Sequence, residues 1–357
     1  MADLGKIDRE FFDEYVYPNL GADRDDVRLG PQHGVDFGVI DVGGRAVALS
    51  TDPVFVMPSL GFERAAWFAF HILMSDVAVS GMAPTHLSID WNLPPEITDE
   101  EFETLWETFD REARELGVSV VTGHTARYAG CNYPMVGGAT AVAVGDHDDL
   151  VRPDGARVGD RLVITKGPAV EATGLMSIQF EPLMRGELVA DGDGDVDPSL
   201  LTDADVDDAT DRFYDMSPVR DALTAAAAGP VTAMHDATEC GVYGGLYEVA
   251  RAAGVRLEVE RDQIPVLPGV IEACEFFDVD PWSSISEGTL VMTVEPDGVD
   301  DVLAALDDEG IPAAAVGEVV EGQGVFVDGD FVEHPGVDPF WGAFEAWMGK
   351  LEAAAAD

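Results

Sequence analysis

Three aspartates of the N-terminal half lie in apolar segments, where burying an unpaired carboxylate would be costly. Asp36 lies in GVDFGVI, Asp52 follows LST, and Asp76 lies in MSDVAVSGMAP. Ligation of a metal ion would offset that cost, and Mg²⁺ is an ion that prefers carboxylate oxygens. Taken singly, each aspartate is more often a strand-end cap or a turn residue, so their joint arrangement has to carry any functional interpretation.

The sequence contains neither of the two common phosphate-binding loops. There is no GxxxxGK[ST] segment and no GxGxxG after a predicted strand. Lysine is also scarce, with only Lys6, Lys166 and Lys350 in 357 residues. A nucleotide triphosphate needs its charge neutralised by backbone N–H groups, by cations or by Mg²⁺ held on carboxylates. A site for ATP in this chain must therefore be rich in carboxylates.

The hydrophobic pattern places these aspartates on regular elements. Apolar runs around Gly43-Gly44 predict a hairpin over 35–56 that leads into a strand ending near Asp52. Helical spacing over 63–80 puts Asp76 in the last turns of a helix. The other N-terminal elements are predicted as a strand over 85–91, a helix from a Thr98/Glu101 capping box to Leu116, a short buried strand over 118–122 that delivers a Gly123-His124-Thr125 turn, and a strand over 136–144.

The second half again alternates strands with helices, after a polar stretch over 145–160 that is the best candidate for a domain boundary. We predict an α/β fold of the α+β type with domains over 1–150 and 151–335 and a helical tail over 336–357. The predicted elements are strands over 161–165, 256–259 and 290–294, a helix over 219–228, a helix that follows the DATECG motif at 236–241 and runs to Ala253, and a helix from near Pro268.

The chain is strongly acidic, with 69 acidic and 20 basic residues and a net charge of -49. The acidic residues are spread along the whole length, which favours a salt-adapted (halophilic) protein over an acidic protein with a basic partner. Salt screens such self-repulsion, so stability should rise with salt. The aspartate-rich segment 190–211 is interpreted as a solvated loop, since Val196 and Thr202 occupy the glycine and glutamate positions of an EF-hand.

Several classes of protein are disfavoured by composition. Nucleic-acid binding would need clustered Lys and Arg, which the sequence lacks. The apolar runs are shorter than a membrane span, and residues 1–11 do not resemble a signal peptide, so we expect a cytoplasmic protein. Cys131, Cys240 and Cys274 form no CxxC pair and are expected to be small buried side chains.

Five short motifs, taken in order, resemble the superfamily that contains AIR synthase, selenophosphate synthetase, thiamine-monophosphate kinase and the hydrogenase maturation factor HypE. The resemblance runs from about residue 30 to residue 325 and is nearest to HypE-like proteins. Val35-Asp36 falls in a segment similar to GDDAAVI, Ser50-Thr51-Asp52 resembles TTD, and Ser75-Asp76 begins a segment similar to NDLAxxGxxP. Gly123-His124-Thr125 resembles GDT or GET, and Asp236 begins a segment similar to DPTRGG. Two lesser matches are Ser286-Glu287-Gly288 and Val316-Gly317-Glu318.

The resemblance implies a two-domain subunit and a homodimer whose N-terminal domains share a β-barrel. It implies ATP bound through Mg²⁺ ions on Asp36, Asp52 and Asp76. The expected phosphate-lining residues are Gly123 and Thr125, and the expected approach to the substrate is by Asp236 and Thr238. The candidate catalytic residues are Asp52, Asp76, His124 and Asp236.

Three departures from the superfamily pattern leave the reaction open. Val35 replaces the first aspartate of the GDDAAVI pattern. His124 stands where relatives carry a carboxylate, so it is a phosphate hydrogen-bond donor, an acid or base, or a structural histidine. The sequence has no cysteine after Cys274, whereas HypE activates its own C-terminal cysteine. The leading hypothesis is ATP-dependent activation of a small oxygen nucleophile, namely an amide, a carboxamide or a phosphate ester. The alternatives are a non-catalytic, nucleotide-binding maturation or scaffold protein with a partner protein, a thiamine-monophosphate kinase-like enzyme, and a generic α/β protein with an acidic surface.

Overall fold

Residues 9–188 and 196–356 are described by a computed structural model. The N-terminal half builds a six-stranded sheet in the order β1-β2-β3-β6-β4-β5. Neighbouring strands pair antiparallel except β4 and β5, which are parallel because a helix connects them. The strands are β1 (Val27–Leu29), β2 (Gly38–Val42), β3 (Arg45–Phe55), β4 (Pro84–Leu93), β5 (Ser119–Arg127) and β6 (Met135–Gly145).

The second half builds a seven-stranded sheet in the order β13-β12-β9-β11-β7-β10-β8. This sheet is also mixed, since β9 and β12 pair in parallel. Strand β10, between β7 and β8, has all of its residues buried, as expected for a strand covered on both faces. The strands are β7 (Arg161–Thr165), β8 (Val231–Asp236), β9 (Arg256–Val259), β10 (Leu290–Val294), β11 (Ala313–Val320), β12 (Gly324–Val327) and β13 (Asp330–Val332).

Helices pack on and between the two sheets. No helix in the described part of the chain is both long and apolar enough to cross a membrane. The helices are α1 (Arg9–Phe11), α2 (Phe62–Ala78), α3 (Asp99–Leu116), α4 (Val170–Met184), α5 (Asp203–Asp211), α6 (Val219–Ala228), α7 (Gly241–Ala253), α8 (Val270–Phe277), α9 (Val299–Asp308) and α10 (Pro339–Ala356).

The helix α2 joins the two halves. It packs against β3, β4 and β6 of the first sheet and against α6 and β8 of the second half. Its side chains are buried on nearly all sides, which is the pattern of a helix enclosed within a core. One continuous apolar core contains Phe70 and Met74 of α2 together with Val163, Met234 and Met292 of the second sheet. The halves are therefore held in a fixed relation around α2.

Most predicted elements are confirmed, and two are corrected. The segment 118–122 was expected to be a short buried strand followed by a turn, but β5 runs unbroken through residues 123–125 and is exposed along most of its length. An apolar run does not distinguish an edge strand from a central one, and β5 lies at the edge of its sheet. Cys240 and Cys274 are buried as predicted, whereas Cys131 is half-buried.

The acidic segment 190–211 is only in part a loop. Residues 203–211 form α5, which starts at a capping box made by Thr202 and Asp205. Val206 and Ala209 of this helix are buried, because α5 packs against α4 and α8. The loop interpretation is therefore wrong for this part, and residues 189–195 lie outside the described residues.

A capping box begins α3, and its contribution can be measured. The backbone N–H of Glu101 donates to the Thr98 hydroxyl, and the Thr98 N–H donates to the Glu101 carboxylate. Replacing Thr98 with Ala removes one of these partners and should lower the free energy of unfolding by about 1 kcal/mol. Urea denaturation in molar KCl measures the change. Thr98→Ser keeps the hydroxyl and should retain most of the stability; equal losses in both variants would argue against the cap.

Candidate active site

A cavity of about 720 Å³ lies between the two halves and collects their acidic residues. Its size falls in the range of small-molecule sites. None of the described residues that line it is a lysine or an arginine. The lining residues with a carboxylate or a hydroxyl are Asp36, Thr51, Asp52, Ser59, Asp76, Tyr133, Glu171, Thr238, Glu239 and Glu287.

Three elements of the first half deliver the predicted aspartates to this cavity. Asp52 lies on β3 opposite Ala139 of β6. Asp76 lies in the last turn of α2, and Asp36 precedes β2. The loop before Asp36 sits directly on the second half, because a Cβ added to Gly34 would lie 2.9 Å from the carbonyl oxygen of Glu248 on α7. Glycine at this position thus allows the close approach that brings Asp36 to the second sheet.

The second half contributes its own acidic residues at the ends of its elements. Asp236 is the last residue of β8, Glu171 lies in the first turn of α4, and Glu287 lies in the loop before β10. The Glu287 N–H donates to the Glu171 carboxylate at 3.2 Å. Asp236 and Glu287 are each 1% exposed. Carboxylates from both halves are thus gathered in one site, where Asp236 and Glu287 are buried and the acids of the first half are half-buried.

His235 places a buried imidazole among the carboxylates. Its Nε2 lies 3.3 Å from Asp36 Oδ2 and 3.2 Å from Glu248 Oε2, and its Nδ1 lies 2.6 Å from the carbonyl oxygen of Asp236. Burial alone would lower the pKa of His235, but the charges of Asp36, Glu248 and Asp236 outweigh it and raise the pKa to about 9. At neutral pH the ring is therefore an imidazolium that ties Asp36 of the first half to the second half.

Burial shifts the neighbouring acids toward their neutral forms. The pKa of Asp76 is raised well above its usual range by burial and then by the charges of Asp52, Asp236 and Asp36. Burial, followed by Asp236 and Glu171, likewise raises the pKa of Glu287. Burial raises the pKa of Glu171 from 4.5 to about 8, although the Glu287 N–H opposes the shift. Such shifts in a cavity are typical of functional sites.

The donor set fits a hard cation. Asp236 Oδ2 and Glu287 Oε1 are buried oxygens that accept no hydrogen bond from another described residue. One ligand atom each from Asp36, His235 and Asp236 lie within 4.8 Å of one another. His235 is already engaged with Asp36, Glu248 and the Asp236 carbonyl, which favours carboxylate oxygens as the ligands. Oxygen ligands favour Mg²⁺ over zinc or copper.

The structure brings some of the predicted residues together and leaves others apart. Thr238 lines the cavity with Asp36, Asp52 and Asp76, and Asp236 lies against Asp36 through His235. Gly123, His124 and Thr125 lie elsewhere in this chain, on the exposed edge strand β5, and are not among the lining residues. His124 Nε2 lies 2.9 Å from the hydroxyl oxygen of Tyr128 on the same edge.

Sequence reasoning missed several members of the site. His235 directly precedes the Asp236 motif, and Glu287 lies in the Ser286-Glu287-Gly288 match. Both residues are therefore marked by a motif, but the motif alone did not indicate a chemical role for them. Glu171 had none, since it reaches the cavity only because the first turn of α4 is buried against the loop before β10.

Family models match most of the chain. The AIR synthase related protein N-terminal domain matches residues 34–151, and the AIR synthase related protein C-terminal domain matches residues 157–330. The chain therefore belongs to the AIR synthase-related superfamily, which confirms the resemblance and the two-domain α/β fold. The two matched regions adjoin at residues 151–157, between β6 of the first sheet and β7 of the second. The acidic cavity between the two halves therefore lies where the family's two domains face each other.

Within this superfamily the chain is HypE-like. A carbamoyl dehydratase HypE of Rhizobium leguminosarum bv. viciae is 29% identical over 299 residues, covering 82% of this chain and 79% of the relative. A HypE structure in complex with ATP superposes with a TM-score of 0.63 and 23% identity, covering 83% of this chain and 88% of the other. A thiamine-monophosphate kinase from Stenotrophomonas maltophilia K279a gives 0.64 and 20%, covering 87% and 93%. These two structures share the fold, and the enzymatic relatives confirm the prediction of an enzyme of this superfamily.

The raised pKa values predict an unusual dependence of stability on pH. A group whose pKa is higher in the folded state stabilises the fold fully below its unfolded pKa, and this contribution is lost as the pH rises through the folded value. For Glu171 the loss falls between pH 4.5 and about 8. Without Mg²⁺, the free energy of unfolding should thus fall by up to about 1.4 kcal/mol per pH unit between pH 6 and 8 for this group. Urea denaturation in molar KCl with EDTA measures it.

Two controls accompany this measurement. Mg²⁺ binds the ionised carboxylates, so the stability it adds should grow as the pH rises. Glu171→Gln removes one titrating group and should flatten the profile. Stability that stays constant or rises between pH 6 and 8 in EDTA would contradict the assigned shifts.

Proposed function

We propose that this protein binds ATP through Mg²⁺ in the acidic cavity and uses the ATP phosphate to activate a small oxygen nucleophile, such as an amide, a carboxamide or a phosphate ester. The observation that carries the proposal is the set of half-buried and buried carboxylates from both family domains, with oxygens of Asp236 and Glu287 that accept no hydrogen bond from another described residue. A triphosphate alone would be repelled by this set, whereas a triphosphate with Mg²⁺ would be attracted.

In this proposal Asp36, Asp52 and Asp76 hold the magnesium, with Asp236 beside them. Bound Mg²⁺ would neutralise charge on the β- and γ-phosphate oxygens. Ionised ligands require loss of the protons that burial favours on Asp76, so nucleotide binding would release protons. His235 keeps Asp36 oriented through its contacts with Asp36 and Glu248.

Glu171 and Thr238 would contact the acceptor or the phosphates as hydrogen-bond donors. At neutral pH Glu171 is protonated because burial raises its pKa to about 8. In the transfer step the bond from the γ-phosphorus to the β–γ bridging oxygen breaks, ADP leaves, and the acceptor oxygen forms the new P–O bond. The proton of the acceptor would pass to a nearby carboxylate, for which Asp236 is the candidate.

The exposed edge strand supports a homodimer as part of the proposal. β5 ends the first sheet and leaves Val120 and Val121 41% and 58% exposed. An open apolar edge is a pairing surface for a second copy of the chain. Gly123, His124 and Thr125 lie on this strand, so in a dimer they would act from the subunit interface, and His124 could contact phosphates there.

We expect the protein to work in the cytoplasm.

A maturation role is the second candidate. A solved HypE–HypF complex resembles this chain with a TM-score of 0.62 and 22% identity, covering 83% of this chain and 93% of the other. That HypE structure is bound to another protein, which favours a nucleotide-binding maturation protein with a partner as the alternative to a free-standing enzyme. ADP formation with a small acceptor and no partner would favour the enzyme.

Replacing Asp52 with Asn tests the proposed site. The variant keeps the shape of the side chain but removes the charge that would hold Mg²⁺, so ADP formation should fall by about a hundredfold or more. The measurement follows ADP formation from ATP in molar KCl, with a panel of amides, carboxamides and phosphate esters. Asp110→Asn, on the exposed face of α3, is the matched control and should match the wild type. A fully active Asp52→Asn variant would contradict the assignment of Asp52 as a magnesium ligand.

A further inference from the structure

The cavity has a second, apolar side that the proposed chemistry does not use. Phe340, Trp341 and Phe344 line it from α10, and Phe55 and Met135 line it from the first sheet. The helix α10 begins after residue 330, where the match to the family's C-terminal domain ends. The wall thus combines side chains of the last helix with side chains of the first sheet.

The helix α10 is fixed in place at its start and near its middle. Just before it, the buried Asp338 accepts hydrogen bonds from the N–H groups of Cys240 and Phe340, at 2.6 and 2.9 Å. Further along, Trp347 packs on Phe277, and its indole N–H donates to the Phe277 carbonyl at 3.2 Å. The aromatic wall is therefore preorganised, and ligand binding would not have to order it.

Large apolar side chains at this cavity remain open to solvent. Trp341 is 45% exposed and Met135 is 52% exposed, and they belong to different halves of the chain. Apolar groups that line a concave site and stay exposed mark a surface that gains free energy when an apolar ligand covers it. The carboxylates of the same cavity disfavour an anionic ligand that brings no cation.

We infer that the apolar side of the cavity, walled by Trp341, Phe344 and Met135, binds an aromatic ring or a comparable apolar body of the acceptor. The acceptor is then a neutral molecule that carries an amide, whose N–H groups can donate to the ionised carboxylates while its oxygen takes the proposed phosphoryl group. This inference rests on the proposed function and narrows its acceptor to an apolar carboxamide. A phosphate ester would bring further negative charge to the carboxylates, whereas a neutral amide does not.

The test uses 2-naphthamide as the probe, with acetamide as the amide that has no ring. Dissociation constants are measured by calorimetry in molar KCl for 2-naphthamide and, separately, for the Mg²⁺ complex of the non-hydrolysable analogue AMPPNP. The wild-type chain should bind 2-naphthamide and give no saturable heat with acetamide. Trp341→Ala should weaken 2-naphthamide binding about three- to tenfold, as the loss of one aromatic contact. Binding of AMPPNP should stay within about twofold.

Control variants separate the wall from general effects. Trp341→Phe keeps a ring and should retain most of the affinity. Phe331→Ala removes an aromatic side chain that is 52% exposed on β13 and does not line the cavity, so it should behave as the wild type. If Trp341→Ala does not fold, Met135→Ala tests the opposite wall with the same expected weakening.

The outcomes distinguish this inference from the proposed function. Failure of 2-naphthamide to bind the wild type, with AMPPNP bound, overturns the apolar site and leaves the nucleotide proposal standing. An equal weakening of AMPPNP and 2-naphthamide by Trp341→Ala also overturns it, because the wall would then hold the adenine base. Trp341-dependent binding of 2-naphthamide without any binding of AMPPNP supports the apolar site and counts against the nucleotide proposal.

Discussion

Like charges gathered between the two sheets impose the main physical constraint on this structure. Carboxylates from β3, α2 and α4 line a cavity whose described lining contains neither lysine nor arginine, and Asp236 of β8 lies behind them beside His235. Buried ions of one sign have to be neutralised by protons or by cations. The high pKa values of Asp76, Glu171 and Glu287 show that protons do part of this in the free protein. The His235 imidazolium does another part, and a hard cation would complete the neutralisation.

The fold can carry this charge because its two halves are fixed to each other. α2 is enclosed by the first sheet and by elements of the second half, so the position of Asp76 relative to Asp236 is set by core packing. The close approach at Gly34 and the contacts of His235 with Asp36 and Glu248 set the distance between the Asp36 segment and the second half. A rigid cleft of this kind holds its carboxylates in place before a nucleotide binds, which lowers the free-energy cost of binding.

Local sequence patterns were sufficient for the elements that carry the predicted aspartates. The apolar period over 63–80 predicted the helix that holds Asp76, and the hairpin signal at Gly43-Gly44 predicted the strand that holds Asp52. What the sequence could not supply was tertiary position. The run over 118–122 is apolar for an edge strand, and its exposure depends on where β5 lies in the sheet. The roles of His235 and Glu171 depend on contacts across the cleft, which no local pattern encodes. The helix α5 was missed because its many aspartates hid a Thr202/Asp205 capping box.

The central claim is that this carboxylate cavity binds ATP only together with magnesium. Calorimetric titration of ATP into the full chain in molar KCl, once with Mg²⁺ and once with EDTA, tests it directly. We expect saturable binding with Mg²⁺ that is lost in EDTA, because the carboxylates then repel the triphosphate. No binding under either condition, or equal binding under both, would contradict this account.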